Sequence, residues 1–151
     1  RYRVVCLDLP FSGEMNVKDH GQFRGWMNWQ LAQLFDSLGE RPLGVRVSIL
    51  NAVAECLREA SEGQPVVLCS QGRATSVAAL IAAGLTPAAD AVQARGLPGS
   101  LTEIIAQRRG YDSLPTVFSF GLLETADIPQ LRRLAGETNV LPNIHGLEAP
   151  R

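Results

Sequence analysis

The chain has 151 residues, 46% of them hydrophobic and 19% charged, with a formal net charge of −1, a balance that describes one globular domain with enough apolar material for a core. Basic residues occur as the doublets Arg108–Arg109 and Arg132–Arg133, too dispersed to track a phosphate backbone, and no apolar run is long enough to span a membrane. Nucleic acid and membrane are therefore not expected partners. The three cysteines, Cys6, Cys56 and Cys69, have neither C-x-x-C spacing nor an even count, so neither a disulfide framework nor a zinc site is indicated. Cys6 and Cys69 lie in apolar strand-like runs and read as small buried thiols.

In chain order, Tyr2–Leu9 reads as a buried strand, so that the sequence begins inside an element and is expected to be a piece of something longer. Pro10 and the turn Phe11-Ser-Gly-Glu14 end that strand, and Asp8 is placed to bond the turn at Ser12–Gly13. A polar loop runs from Asn16 to Gly25, and His20 within it reads as an exposed loop residue. Trp26 to Leu38 carries apolar residues at helical spacing and ends at Gly39, with Trp26 and Trp29 as core or lid packing. After the break at Arg41-Pro42-Leu43-Gly44, the positions Ile49, Leu50, Val53 and Leu57 share one face of a helix from Val45 to Ala60. Glu62-Gly63-Gln64-Pro65 turns the chain into a short apolar strand that stops at Ser70, and an alanine-rich helix follows at once. Ala88–Leu97 predicts another strand, Leu101–Gln107 a short helix, and Thr116–Leu123 a further strand weakened by Gly121. Asp127 caps a helix that starts with Pro129 and runs through Leu134 to Gly136. Thr138–Ile144 is the last strand expected.

Strands alternating with helices predict an α/β fold, a three-layer sandwich with a mainly parallel sheet, and place function at the carboxyl ends of the strands. Ser70 stands at such an end. A strand, a sharp turn and a helix leave little room, so the nucleophile elbow G-x-S-x-G needs a small reactive side chain between residues that lack bulk. Ser70 and Gly72 meet that need, and the backbone N–H of Gln71 would donate to an oxyanion. Leu68 departs from the pattern, because it replaces the first glycine. The other reading of Ser70 is a hydroxyl that caps the following helix. The turn holds one glycine and neither nucleotide-binding glycine motif, so Rossmann-type or P-loop binding is not expected.

Several segments, in order, resemble the α/β-hydrolases of the acetyl xylan esterase and dienelactone-hydrolase-like type, over nearly the whole chain. Val5-Cys-Leu-Asp-Leu-Pro-Phe-Ser-Gly-Glu14 is similar to the family's strand and turn before the cap region. Arg41-Pro-Leu-Gly-Val-Arg46 is similar to the segment ahead of the nucleophile strand, Ser70 matches the nucleophile, and the Phe120–Leu131 stretch is similar to the one before the strand that carries the catalytic acid. The resemblance implies hydrolysis of an acylated carbohydrate or similar small ester through an acyl-enzyme, with no cofactor and no metal. It also implies an acid near His145 to Glu148, where Glu148 is the available carboxylate, and a base histidine one strand later. His20 and His145 are the only imidazoles in the sequence, and His145 follows an expected strand end. It reads either as the partner of Ser70 or as an ordinary loop histidine. The rival expectation is a hydrolase-like domain without catalytic activity, with a binding or structural role.

Overall fold

The computed structural model describes residues 3–15, 28–136 and 140. After a 3₁₀ turn at Gly13–Met15 come helices α1 (Asn28–Ser37) and α2 (Pro42–Ala60), strand β1 (Val67–Gln71), helix α3 (Arg73–Leu85), strand β2 (Ala91–Arg95), helix α4 (Thr102–Ala106), a 3₁₀ turn at Tyr111–Ser113, and helices α5 (Leu122–Thr125) and α6 (Ile128–Leu134). β1 and β2 run parallel, with Cys69 opposite Gln93, and an isolated parallel bridge from Val92 to Val140 continues the sheet on the far side of β2. The architecture is thus mixed α/β about a small parallel sheet.

Local chemistry sets the boundaries. Pro42 opens α2, where its missing N–H and fixed φ cost nothing, so the helix starts three residues before the expected Val45. Beyond α2, Glu62 and Gly63 both adopt positive φ and reverse the chain toward β1. Arg58, in the last turn of α2, then fastens the entry to β2: its guanidinium donates to the carbonyls of Ala88 (3.2 Å) and Pro87 (3.0 Å) and pairs with Asp90 at 2.9 Å. Asp90 in turn accepts from the N–H of Val66 at 2.7 Å, so one carboxylate aligns the starts of both strands. That backbone hydrogen bond, followed by the bond from Arg58, holds the Asp90 carboxyl below its ordinary range.

The core forms around α3, which packs on α2, α6, β1 and β2. Val77, Ala78, Leu80 and Ala82 are buried there together with Leu43 and Val47 of α2, Val92 of β2, and Ile128 and Leu131 of α6. The alanine-rich composition lets the helices approach closely. At Gly84 an added Cβ would lie 2.8 Å from the Leu134 side chain, so the crossing of α3 and α6 has no room for a methyl group.

Three expectations need correction, and a fourth is met in part. Residues 3–9 form no strand: no ladder pairs them, and Val4, Val5, Cys6 and Leu7 are exposed, because among the described residues no strand lies beside them. Thr116–Leu123 is not a strand either. Val117 and Phe118 donate back to the carbonyl of Leu114, Gly121 adopts a left-handed φ of 81°, and α5 begins at Leu122, so local turns outcompete extended pairing. Phe120, apolar in sequence, is 79% exposed. All three cysteines are free and exposed, so Cys6 and Cys69 are not the buried thiols expected. Finally, the sandwich is seen only as far as this two-stranded sheet: Leu68 packs against the core around α3, whereas Val67, Cys69 and Gln71 alternate away from it and are exposed. The strand expected over Thr138–Ile144 lies outside the described residues except for Val140, and Trp26 and His20 lie outside them too.

Candidate functional site

The junction of β1 and α3 holds the residues singled out by sequence. Ser70 is the fourth residue of β1 and pairs in register with Ala94 of β2, so its backbone is strand, not turn. The turn residue is Gly72. It stands between strand and helix as the N-cap of α3 with φ 91° and ψ 156°, in a region that only glycine enters readily. No non-glycine residue at this junction has positive φ; among the described residues only Phe11, Glu62 and Arg108 do.

The Gly72 turn is braced from both sides. Its N–H donates to the carbonyl of Arg95 at 2.9 Å, and Gly96 comes so close that an added Cβ there would lie 3.4 Å from the Gly72 Cα. Space beside Gly72 itself is open, the nearest atom to an added Cβ being Thr75 Oγ1 at 3.6 Å. Glycine is required at position 72 by backbone conformation and not by crowding. We therefore expect Gly72→Ala to cost about 1–3 kcal/mol in urea unfolding, although no neighbour has to move. A change within a few tenths of a kcal/mol would show that the turn relaxes freely.

Ser70 faces α3. Its hydroxyl donates to Ser76 Oγ at 3.2 Å and, at a longer 3.4 Å, approaches the carbonyl of Gln93. Ser76 is fully buried and donates to the carbonyl of Arg95 at 2.7 Å, so a chain of two hydroxyls ties β1 and α3 to the end of β2. Sequence reasoning passed over Ser76. Its signal was a hydroxyl between Ala74 and the apolar run Val77–Leu80 of a buried helix, where a polar group demands a partner. Ser70 does not cap α3; no side chain caps that N-terminus, and Thr75 Oγ1 instead donates back to the carbonyls of Gln71 and Gly72.

The structure brings Ser70, Gln71 and Gly72 together only as neighbours along the chain. His145 and Glu148, the imidazole and carboxylate expected beside Ser70, lie outside the described residues, as does His20. Among the described residues no group of three or more His, Cys, Asp and Glu side chains could hold a metal ion, and no helix is long and apolar enough to cross a membrane.

A second polar centre lies just beyond the end of β2. Asp127 caps α6 in a full capping box, accepting from Ile128 N at 2.7 Å while Gln130 reaches back to the Asp127 N–H at 3.2 Å. The same carboxylate accepts from Leu101 N at 2.6 Å and from the Ser100 hydroxyl, which joins the loop after β2 to α6. Burial pushes the Asp127 carboxyl up, but these three donors outweigh it and hold the group below its ordinary value. The cap was legible in sequence; its second role, toward Ser100 and Leu101, was not. Next to it lies a cavity of about 430 Å³ lined by Leu97, Pro98, Gly99, Ile128, Pro129, Arg132, Arg133 and Val140.

Comparison of the chain with protein-family models, with curated proteins and with solved structures finds no match.

Proposed function

We propose that this chain is a domain of α/β-hydrolase type, a three-layer sandwich about a mainly parallel sheet, in which Ser70 is a structural hydroxyl and the domain contributes binding or architecture in place of ester hydrolysis. The observation that supports this reading is the identity of the turn residue. An elbow holds its nucleophile on the strained strand-to-helix turn, so that the hydroxyl projects clear of the sheet. Here that conformation belongs to Gly72, which has no side chain. Ser70 sits two residues earlier, inside a paired strand, with its hydroxyl directed to Ser76.

A second reading keeps Ser70 as the nucleophile of an esterase. It is favoured by the placement of Ser70 near the carboxyl end of a parallel strand, only partly buried, with hydroxyl contacts of 3.2 and 3.4 Å that a stronger base would displace. In that reaction Ser70 Oγ attacks the acyl carbon, the alcohol leaves with a proton, and water releases the acyl group from the serine. The substrate would be an acylated carbohydrate or similar small ester, with His145 as base, Glu148 as acid and the backbone N–H of Gln71 facing the oxyanion, that of Gly72 being taken by the Arg95 carbonyl.

Hydrolysis of 4-nitrophenyl acetate separates the two readings. Ser70→Ala is expected to leave the rate at the wild-type level. Loss of the activity in Ser70→Ala while the variant stays folded would transfer the conclusion to the esterase.

A further inference from the structure

The sequence contains two arginine doublets, Arg108–Arg109 and Arg132–Arg133, and neither reading of Ser70 uses them. All four side chains are exposed, so accessibility does not distinguish the pairs; the backbone does. Arg132 and Arg133 lie inside α6, where Ile128 and Leu131 are buried in the core around α3. The last turn of that helix is closed by the Ala135 N–H to the Leu131 carbonyl at 3.0 Å and by the Gly136 N–H to the Arg133 carbonyl at 3.1 Å. A protease cleft binds its substrate as an extended strand, so a pair held in helix is not presented to it.

Arg108–Arg109 stands past the end of α4, in a stretch where residues 105–110 are exposed without interruption. Arg108 adopts a left-handed φ of 50°, uncommon for a residue with a side chain. The pair is held by two backbone bonds, from the Arg108 N–H to the Ile105 carbonyl at 2.9 Å and from the Arg109 N–H to the Ile104 carbonyl at 3.1 Å. Gly110, the next residue, is already extended at φ −71° and ψ 155° and has no side chain to obstruct a cleft. Straightening this pair gives up two hydrogen bonds at an exposed helix end and relieves the positive φ, whereas straightening Arg132–Arg133 pulls Ile128 and Leu131 out of the core. Exposed loop tips of this kind are the preferred places for a chain to be nicked.

We propose that Arg108–Arg109 is a recognition site for an endoprotease specific for paired basic residues, which hydrolyses the Arg109–Gly110 bond. Water adds across that amide, leaving a carboxylate on Arg109 and a free amino group on Gly110. Both sides of the cut stay attached to the domain. Upstream, Leu101 and Ile104 are buried. Downstream, Tyr111 donates its hydroxyl to Asp36 at 2.9 Å, Thr116 Oγ1 accepts from Arg46 at 3.1 Å, and Asp127 accepts from the Leu101 N–H at 2.6 Å. The product is therefore a nicked, two-chain form of the same fold. The inference does not depend on whether Ser70 reacts.

The test is a time course of the purified chain with a subtilisin-type endoprotease that requires paired basic residues, read by denaturing intact mass and by native size-exclusion chromatography. Fragments 1–109 and 110–151 are expected as the first products, eluting together at the volume of the uncut chain. Arg108→Ala, an exposed change that should leave the circular dichroism unaltered, is expected to slow the cut about tenfold. Arg132→Ala should leave it at the wild-type rate. A cut after Arg133 as fast as the one after Arg109 overturns the proposal, because the fold then does not choose between the pairs. So does a native chain that stays whole, a cut indifferent to Arg108→Ala, or a pair of fragments that elute apart.

Discussion

Replacing Arg46 with alanine is expected to destabilise the domain by about 3 kcal/mol, the sum of a cavity left by a long buried side chain and two oxygens left without a donor. Arg46 is 2% exposed, and its guanidinium donates to the Pro10 carbonyl at 3.0 Å and to Thr116 Oγ1 at 3.1 Å. It thereby ties the N-terminal turn and the segment after the Tyr111–Ser113 turn to the first turns of α2. No carboxylate pairs with it among the described residues. Burial without a counter-charge pulls its pKa down to about 10, which still leaves it protonated at neutral pH.

That missing counter-charge separates two roles. A buried cation costs desolvation, so Arg46→Met, which keeps most of the volume and removes the charge, should lose much less, about 1 kcal/mol. For a domain of this length the alanine variant corresponds to a fall in Tm of about 6–12 °C. Thermal unfolding of the three proteins checks the ordering wild type, Met, Ala. Equal losses for Met and Ala would show that the hydrogen bonds, and not the packing, carry the contribution.

Asp127→Ala is the second large effect, with an expected loss of about 2–3 kcal/mol. An ordinary N-cap contributes about 1 kcal/mol, and here the same carboxylate also satisfies Ser100 and Leu101 in the loop after β2. Asp127→Asn keeps a competent cap but loses the charge, so its cost should be smaller and should depend on pH. The sign follows from the depressed carboxyl: the folded group releases its proton at lower pH than the unfolded one, so its contribution is fully present above about pH 4–5. It disappears as the pH falls through the folded value. The stability gap between wild type and Asp127→Asn is therefore expected to shrink between pH 5 and the acid limit of folding, as read by urea midpoints at successive pH values. A gap that widens on acidification would contradict the assignment.

The helices were the legible part of this fold. The stripe Ile49, Leu50, Val53 and Leu57 located α2, the alanine run located α3, and Asp127 with Pro129 located α6 to within a residue, because capping chemistry and helical periodicity are local. Strand pairing is not local. Residues 3–9 and Thr116–Leu123 have strand composition, but a strand exists only beside another, and neither run has one among the described residues. The strained turn falls two positions beyond Ser70 for a related reason. A serine followed by x-Gly satisfies the motif as a string, whereas which residue takes the strained φ depends on where β1 stops pairing with β2, and pairing extends through Gln71 opposite Arg95. Polar partners such as Ser70 with Ser76, Asp90 with Val66 and Asp127 with Ser100 join residues 6 to 27 positions apart, and only the fold reveals them.

Ser70 is a hydrogen-bonding residue of β1, and the turn that would display a nucleophile carries Gly72. Intact mass after exposure to a fluorophosphonate serine probe tests it most directly, with Ser70→Ala as control. The wild-type chain is expected to keep its unmodified mass, the same outcome as the variant. A stoichiometric adduct on the wild type that is absent from folded Ser70→Ala would contradict it and establish Ser70 as an activated nucleophile.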